Sequence, residues 1–110
     1  MPHLILEHNF ENTDKVTKVC QSLLKALSSK DTIKVESIKT RSFFVEDVFL
    51  GSSNTKSLNN FAHVNLKLLK GRSEDLKLEM SKSLLDTLKN SLGVEGSFSV
   101  EVSELLSYSK

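Results

Sequence analysis

Two hydrophobic periods alternate along this chain, and the alternation occurs twice. The opening run His3 to His8 (HLILEH) is rich in Leu and Ile and has the length of a strand. From Asn12 the period changes. Val16, Val19, Cys20, Leu23, Leu24 and Leu27 recur at spacings of three and four, with Lys15, Lys18, Gln21 and Lys25 between them. This pattern predicts an amphipathic helix, with Asn12 or Thr13 as its N-cap and Asp14 favourably placed in its first turn. After the polar stretch Ser28 to Asp31, the segment Thr32 to Phe49 is rich in Ile, Val, Thr and Phe, which predicts one long strand or a bent one.

The run Gly51 to Asn60 (GSSNTKSLNN) clusters Gly, Ser and Asn around a single apolar residue, Leu58, and marks a loop. The same order then returns. Ala62, Val64, Leu66 and Leu68 alternate with His63, Asn65 and Lys67, as in a strand with one buried and one polar face. Ser73 makes a good N-cap with Glu74 and Asp75 behind it, and Leu76, Met80, Leu84, Leu85, Leu88 and Leu92 carry a second helix that stops at Gly93. Phe98, Val100 and Val102 alternate with Ser99 and Glu101 in a last strand. The expected fold is α+β (α/β): two consecutive βαβ units forming a four-stranded mixed sheet. Right-handed crossovers put both helices on one face. The other face is left open, and neighbouring subunits are expected to cover it.

At 110 residues the chain fits one domain, made of a βαβ unit over 1–50, a loop over 51–60 and a βαβ unit over 61–110. An apolar fraction of 38% is modest for a chain this short, so contacts between subunits are an expected source of further burial. Fifteen Lys and Arg stand against fourteen Asp and Glu with the signs interspersed, which argues against nucleic acid as the main partner. A ferredoxin-like nucleic-acid binder would share the open sheet but lacks its basic stripe and stacking aromatics here. Cys20 has no intrachain partner, no signal-like start is present, and no apolar run approaches the roughly 18 residues of a membrane span. A cytoplasmic protein without membrane or nucleic-acid partners is the expectation.

Common catalytic signatures are absent: there is no G-x-S-x-G, H-E-x-x-H, C-x-x-C, P-loop or G-x-G-x-x-G. His3, His8 and His63 lack metal-ligand spacing and read as ordinary strand histidines, so no metal is expected. Cys20 and Met80 fall on apolar helix stripes and read as core residues. Lys15, Lys18, Lys25, Lys77, Lys82 and Lys89 read as solvated helix faces. What remains is Pro2, the only proline, directly after the initiator methionine and directly before a strand. Small second residues permit removal of Met1, and a free N-terminal proline is a rigid secondary amine, a base positioned by the strand behind it. Its pKa must fall for it to work near neutrality. One cation at about 7 Å and an effective dielectric near 20 contributes roughly 2 kcal/mol, more than one pKa unit. Candidates are Arg41, inside the second strand, and Arg72, at the mouth of the second helix, where backbone N–H groups and the helix dipole also suit a carboxylate. Lys39 and Phe43 share a strand face with Arg41 by alternation.

In order along the chain, MPHLILEH, IKTR, FAHVNLKLLKGRS and FSVEVSEL resemble the 5-carboxymethyl-2-hydroxymuconate isomerases, a branch of the tautomerase superfamily. The resemblance implies a homotrimer of βαβ-βαβ subunits with active sites near subunit boundaries. It also implies a cofactor-free isomerase of aromatic catabolism, whose N-terminal proline moves a proton between carbons of an unsaturated hydroxy or keto dicarboxylate. Pro2 matches the catalytic proline, Arg72 the arginine of a Gly-Arg-Ser block that binds carboxylate and stabilises dienolate charge, and Arg41 a basic strand position. Lys39 stands where the family tends to have arginine, which turns a bidentate grip into a point-charge contact. The chain also stops at Lys110, shortly after its last strand, where the family usually continues across a neighbouring subunit. The alternative is a trimeric binding or regulatory module of the same fold without turnover, or one that retains Met1 and so has no basic nitrogen.

Overall fold

A computed structural model describes residues 2–30 and 33–110. The elements are β1 (His3–His8), α1 (Thr13–Ser28), a single 3₁₀ turn (Val35–Ser37), β2 (Lys39–Phe44), β3 (Phe61–Leu69), α2 (Glu74–Leu92) and β4 (Ser97–Leu105). The strands form one sheet in the order β2-β1-β3-β4. β1 and β2 are parallel, β3 and β4 are parallel, and β1 meets β3 antiparallel, so two βαβ units join through their first strands. This is the two-unit mixed sheet that the alternating periods predict.

Strand parity decides where the core lies. Leu4 and Leu6 of β1 and Ala62, Val64, Leu66 and Leu68 of β3 are buried on one face. Val19, Leu23 and Leu27 of α1 and Met80, Leu84 and Leu88 of α2 close the same cluster. Both helices therefore cover one side of the sheet. Their ends are fixed by side chains: Asn12 Oδ1 accepts from the Asp14 and Lys15 N–H groups at 2.9 and 3.2 Å, and Ser73 Oγ accepts from Leu76 N–H at 3.1 Å.

The second strand is shorter than the composition of Thr32 to Phe49 predicts. β2 spans only Lys39–Phe44, preceded by the 3₁₀ turn; Thr32 and Asp31 lie outside the described residues. The reason is its partner. β2 is an edge strand whose ladder runs against β1, six residues long, from His3↔Lys39 to His8↔Phe44. One further bond, Val45 N–H to the His8 carbonyl at 2.6 Å, ends the pairing. Beyond it β1 has turned toward α1, so Val45 onward has no backbone to pair with, whatever its β propensity. The connection to β3 is held instead by local contacts. Val48 is buried and its carbonyl accepts from Ser57 N–H, while Asn9 bonds both the Asn59 carbonyl at 2.9 Å and Phe61 N–H at 2.8 Å.

Two of the lysines that read as solvated surface are anchored. Lys77 bonds Glu74 at 2.7 Å and reaches Glu104 of β4 at 3.5 Å, with its side chain only 12% exposed. Lys15 bonds Asn60 Oδ1 at 3.0 Å and sits over the Phe10 ring. Their amphipathic stems pack while their charges find partners.

Two stability predictions follow from this packing. Gly96 has φ +147°, and a Cβ there would stand 2.5 Å from the Asn60 carbonyl that accepts from Ser97 N–H. Gly96→Ala is expected to cost about 2–4 kcal/mol in urea unfolding, from backbone strain plus overpacking. His8 is buried, accepts from Phe10 N–H at Nδ1 (3.0 Å), and burial lowers its pKa from 6.5. The unfolded chain then binds the proton more readily than the folded one. Stability is fully present above pH 6.5 and falls as pH drops through the lowered value. Unfolding midpoints of His8→Gln are expected to be lower at pH 7.5 but flatter between pH 7.5 and 5.5 than the wild type, within about 1 kcal/mol across that range.

Candidate active site

Because β3 runs antiparallel to β1, one edge of the sheet gathers the starts of β1 and β2 and the ends of β3 and β4. Pro2 stands there, immediately before β1. It is buried, and its carbonyl accepts from Lys39 N–H at 3.0 Å. The end of β3 turns at the same edge through Gly71, whose φ of +124° a side chain rarely adopts, and leads to the half-buried Arg72 and the Ser73 cap of α2. The Lys77 contacts with Glu74 and Glu104 tie this first turn of α2 to β4.

Across the uncovered face of the sheet runs a polar surface. His3 and Glu7 of β1, Lys39 and Arg41 of β2, His63, Asn65 and Lys67 of β3, and Ser99, Glu101 and Ser103 of β4 share it by register and parity. Near the Pro2 edge it is cationic. Lys39 and Lys67 flank His3 on either side in the ladder, and Arg41 is two residues on from Lys39. Arg41 Nη1 lies 3.0 Å from His3 Nδ1, and Tyr108 Oη lies 2.9 Å from His3 Nε2. Partial burial first, then Arg41, Lys39 and Lys67, hold the His3 pKa below its ordinary value. Toward the middle, His63 bonds Ser99 Oγ at 2.6 Å and Glu101 Oε1 at 3.2 Å beside a cavity of about 200 Å³ that Ile5 and Asn65 also line.

The candidate residues are thus placed in two groups. Pro2, Lys39 and Arg72 come to the same edge. Arg41 and Phe43 lie on the open face of β2, both exposed. Arg41 remains close to the edge through His3, whereas Phe43 is four residues from Lys39, about 13 Å along the strand, opposite Glu7. Within one chain Phe43 is therefore remote from Pro2. Removal of Met1 concerns a residue outside the described ones. Two larger cavities, of about 310 and 420 Å³, lie at the opposite edge around Phe44 and Leu58 and beside the first turns of α1, far from Pro2.

Reading the sequence alone misses His3 and Tyr108 as members of this cluster. For His3 a signal exists: alternation puts it on the face of Lys39 and Arg41 once β1 and β2 are known to pair in parallel. Tyr108 follows the last strand and has no period to place it. Burial pushes the Cys20 thiol pKa up, in keeping with a core role. Among the described residues, no three or more His, Cys, Asp or Glu side chains are grouped to hold a metal ion, and no helix is long and apolar enough to cross a membrane.

The 5-carboxymethyl-2-hydroxymuconate isomerase family matches the sequence over residues 2–102, beginning at Pro2 and including the Gly-Arg-Ser turn. The chain belongs to this family. It is an isomerase of the tautomerase type. Its fold is similar to that of a 5-carboxymethyl-2-hydroxymuconate isomerase from Deinococcus radiodurans R1, at 26% identity and a TM-score of 0.82, over 99% of this chain and 88% of that one. A 5-carboxymethyl-2-hydroxymuconate delta-isomerase at 14% identity (TM-score 0.78, 100% of this chain and 86% of that one) shares the fold. So does a fused 4-OT asymmetric trimer at 15% identity (TM-score 0.78, 98% of this chain and 91% of that one). No curated protein matches the sequence significantly.

Proposed function

We propose that this isomerase, as a single cytoplasmic domain, acts on an unsaturated hydroxy or keto dicarboxylate resembling 5-carboxymethyl-2-hydroxymuconate. The base is the amine of Pro2 freed by loss of Met1. The observation that carries this reading is the family match starting at Pro2, joined to the cationic edge around that residue. From a keto substrate Pro2 nitrogen takes a proton from the carbon alpha to the carbonyl, and the C–H electron pair moves into the conjugated system; from a hydroxy dienol it takes the O–H proton. Both give the same dienolate, and the resulting ammonium returns the proton to another carbon. Atoms balance within the substrate, so the step needs no cofactor or metal. Lys39, Arg41 and Lys67 are cations near this edge, and they favour the unprotonated amine by the same repulsion that lowers the His3 pKa. Arg72, beside the N-terminus of α2, is assigned to a carboxylate and to the charge that develops on the enolate oxygen. Arg41 and Lys39 receive the second carboxylate. Phe43 is assigned to substrate contact across a subunit boundary, since it stands apart from Pro2 of its own chain.

Self-association is supported by two observations. The fused 4-OT relative is a trimer, and four of the exposed apolar side chains, Phe43, Phe44, Phe49 and Leu50, lie on and just after the edge strand β2. Light scattering is expected to give three times the subunit mass of 12.3 kDa.

Intact mass is expected to show loss of one methionine. On that sample, ketonisation of 2-hydroxymuconate or its carboxymethyl analogue should fall by about 10²–10⁴ in Pro2→Ala. Arg72→Ala should lower kcat by about 10²-fold. A Pro2→Ala enzyme as fast as the wild type sinks the assignment.

A further inference from the structure

We propose that His3 is a positioning residue: gripped by Tyr108, its uncharged ring holds the Arg41 guanidinium in place for a substrate carboxylate. The inference deepens the reading above and rests on Arg41 meeting substrate.

A guanidinium has only donors, so the 3.0 Å contact between Arg41 Nη1 and His3 Nδ1 requires a lone pair on Nδ1. A neutral imidazole with an accepting Nδ1 carries its hydrogen on Nε2. That hydrogen donates to Tyr108 Oη, 2.9 Å away. The Tyr108 ring also meets the imidazole edge-on, with centroids 5.5 Å apart at 70°. Both ring nitrogens are thereby committed, and the ring cannot flip without losing both bonds. Three distant segments converge here: β1 supplies His3, β2 supplies Arg41, and the stretch after β4 supplies Tyr108.

The charges around the ring all favour this state. Arg41 and Lys39 face it from β2 and Lys67 faces it from β3. The segment after β4 brings Tyr108 to the ring and carries a further cation, Lys110, and Glu7, the acid of β1 on this face, lies four residues away. With three cations close by and no carboxylate opposite it in the ladder, His3 stays neutral to a pH below 6.5. A second proton on Nδ1 would delete the acceptor and set imidazolium against guanidinium. An exposed arginine without an anchor samples many rotamers, so the bond pre-organises Arg41 for the anion.

The test reads the ring directly and then the enzyme. In long-range ¹H–¹⁵N spectra of the intact protein at pH 7.5, His3 is expected as the Nε2–H tautomer, and Tyr108→Phe is expected to mix the tautomers. Tyr108 is the only tyrosine and the chain has no tryptophan, so aromatic reporting on its hydroxyl is unambiguous. In turnover of 2-hydroxymuconate, His3→Phe is expected to raise KM about tenfold with kcat within about twofold, and His3→Gln, which restores a carbonyl acceptor, to recover most of the loss. Wild-type KM should climb as pH falls through the lowered His3 pKa, on the acid side of the ordinary histidine range, and that climb should be absent in His3→Gln. The proposal is overturned by a hydrogen on Nδ1 at pH 7.5, by an unchanged KM in His3→Phe, or by a KM that falls in acid. Failure of the proline mechanism shows separately, as Pro2→Ala turnover at the wild-type rate, and leaves the ¹⁵N reading of the ring intact.

Discussion

The pairing of β1 with two partners at once is the constraint on which the rest of this structure depends. β1 is parallel to β2 on one side and antiparallel to β3 on the other, over the same six residues. Its even positions supply Leu4, Leu6 and His8 to the core, and its odd positions supply His3, Ile5 and Glu7 to the open face. Its antiparallel contact with β3 brings the Gly-Arg-Ser turn back to the edge where β1 begins. The start of α2 and the first residues of β2 thus come to the edge where Pro2 stands through backbone pairing, and no long loop is needed to carry them there. A one-residue slip in either ladder would exchange the faces and scatter the cluster.

Much of the fold was legible in the sequence because each element carries a clean period. The 3.6-residue stripes of α1 and α2, the Asn12 and Ser73 caps and the alternation from Ala62 to Leu68 each point to one structure, and the structure has it. The second strand is shorter than its composition predicts for a physical reason: extended backbone is favoured throughout, but only Lys39–Phe44 has a partner. Strand length here is a property of the neighbour. The candidate site was legible in part. Residue type and position single out Pro2, Arg41 and Arg72, and parity puts Lys39 beside Arg41. Alternation can put His3 on the face of Lys39 and Arg41 once β1 and β2 are paired, but Tyr108, beyond the last strand, carries no periodic signature.

The face opposite the helices is the one expected to meet neighbouring subunits, and its chemistry sets what such a contact has to satisfy. It carries hydrogen-bonded polar groups, among them His63 with Glu101 and Asn65 with Ser103, beside the apolar side chains of Ile5 and Phe43. Of the exposed apolar side chains, Phe43, Phe44, Phe49 and Leu50 lie on β2 and the segment after it, while Leu69, Leu78, Val94 and Leu106 stand on other parts of the molecule. A contact made at β2 borders the cationic cluster, since Lys39 and Arg41 belong to the same strand.

The connection from Val45 to Asn60 lies at the edge opposite Pro2 and is held by its own contacts, among them Val48 with Ser57 and Asn9 with Asn59 and Phe61. Cutting the chain between Gly51 and Asn60 would divide it into two βαβ fragments able to reassemble through the β1–β3 ladder, with the first fragment still starting at the same amine. Circular permutation through that connection is a different matter. Joining the natural ends would lock the proline nitrogen into a peptide bond while leaving the sheet untouched, so for a catalyst of the kind proposed the order of the halves along the chain is set by chemistry, and the fold alone would permit either.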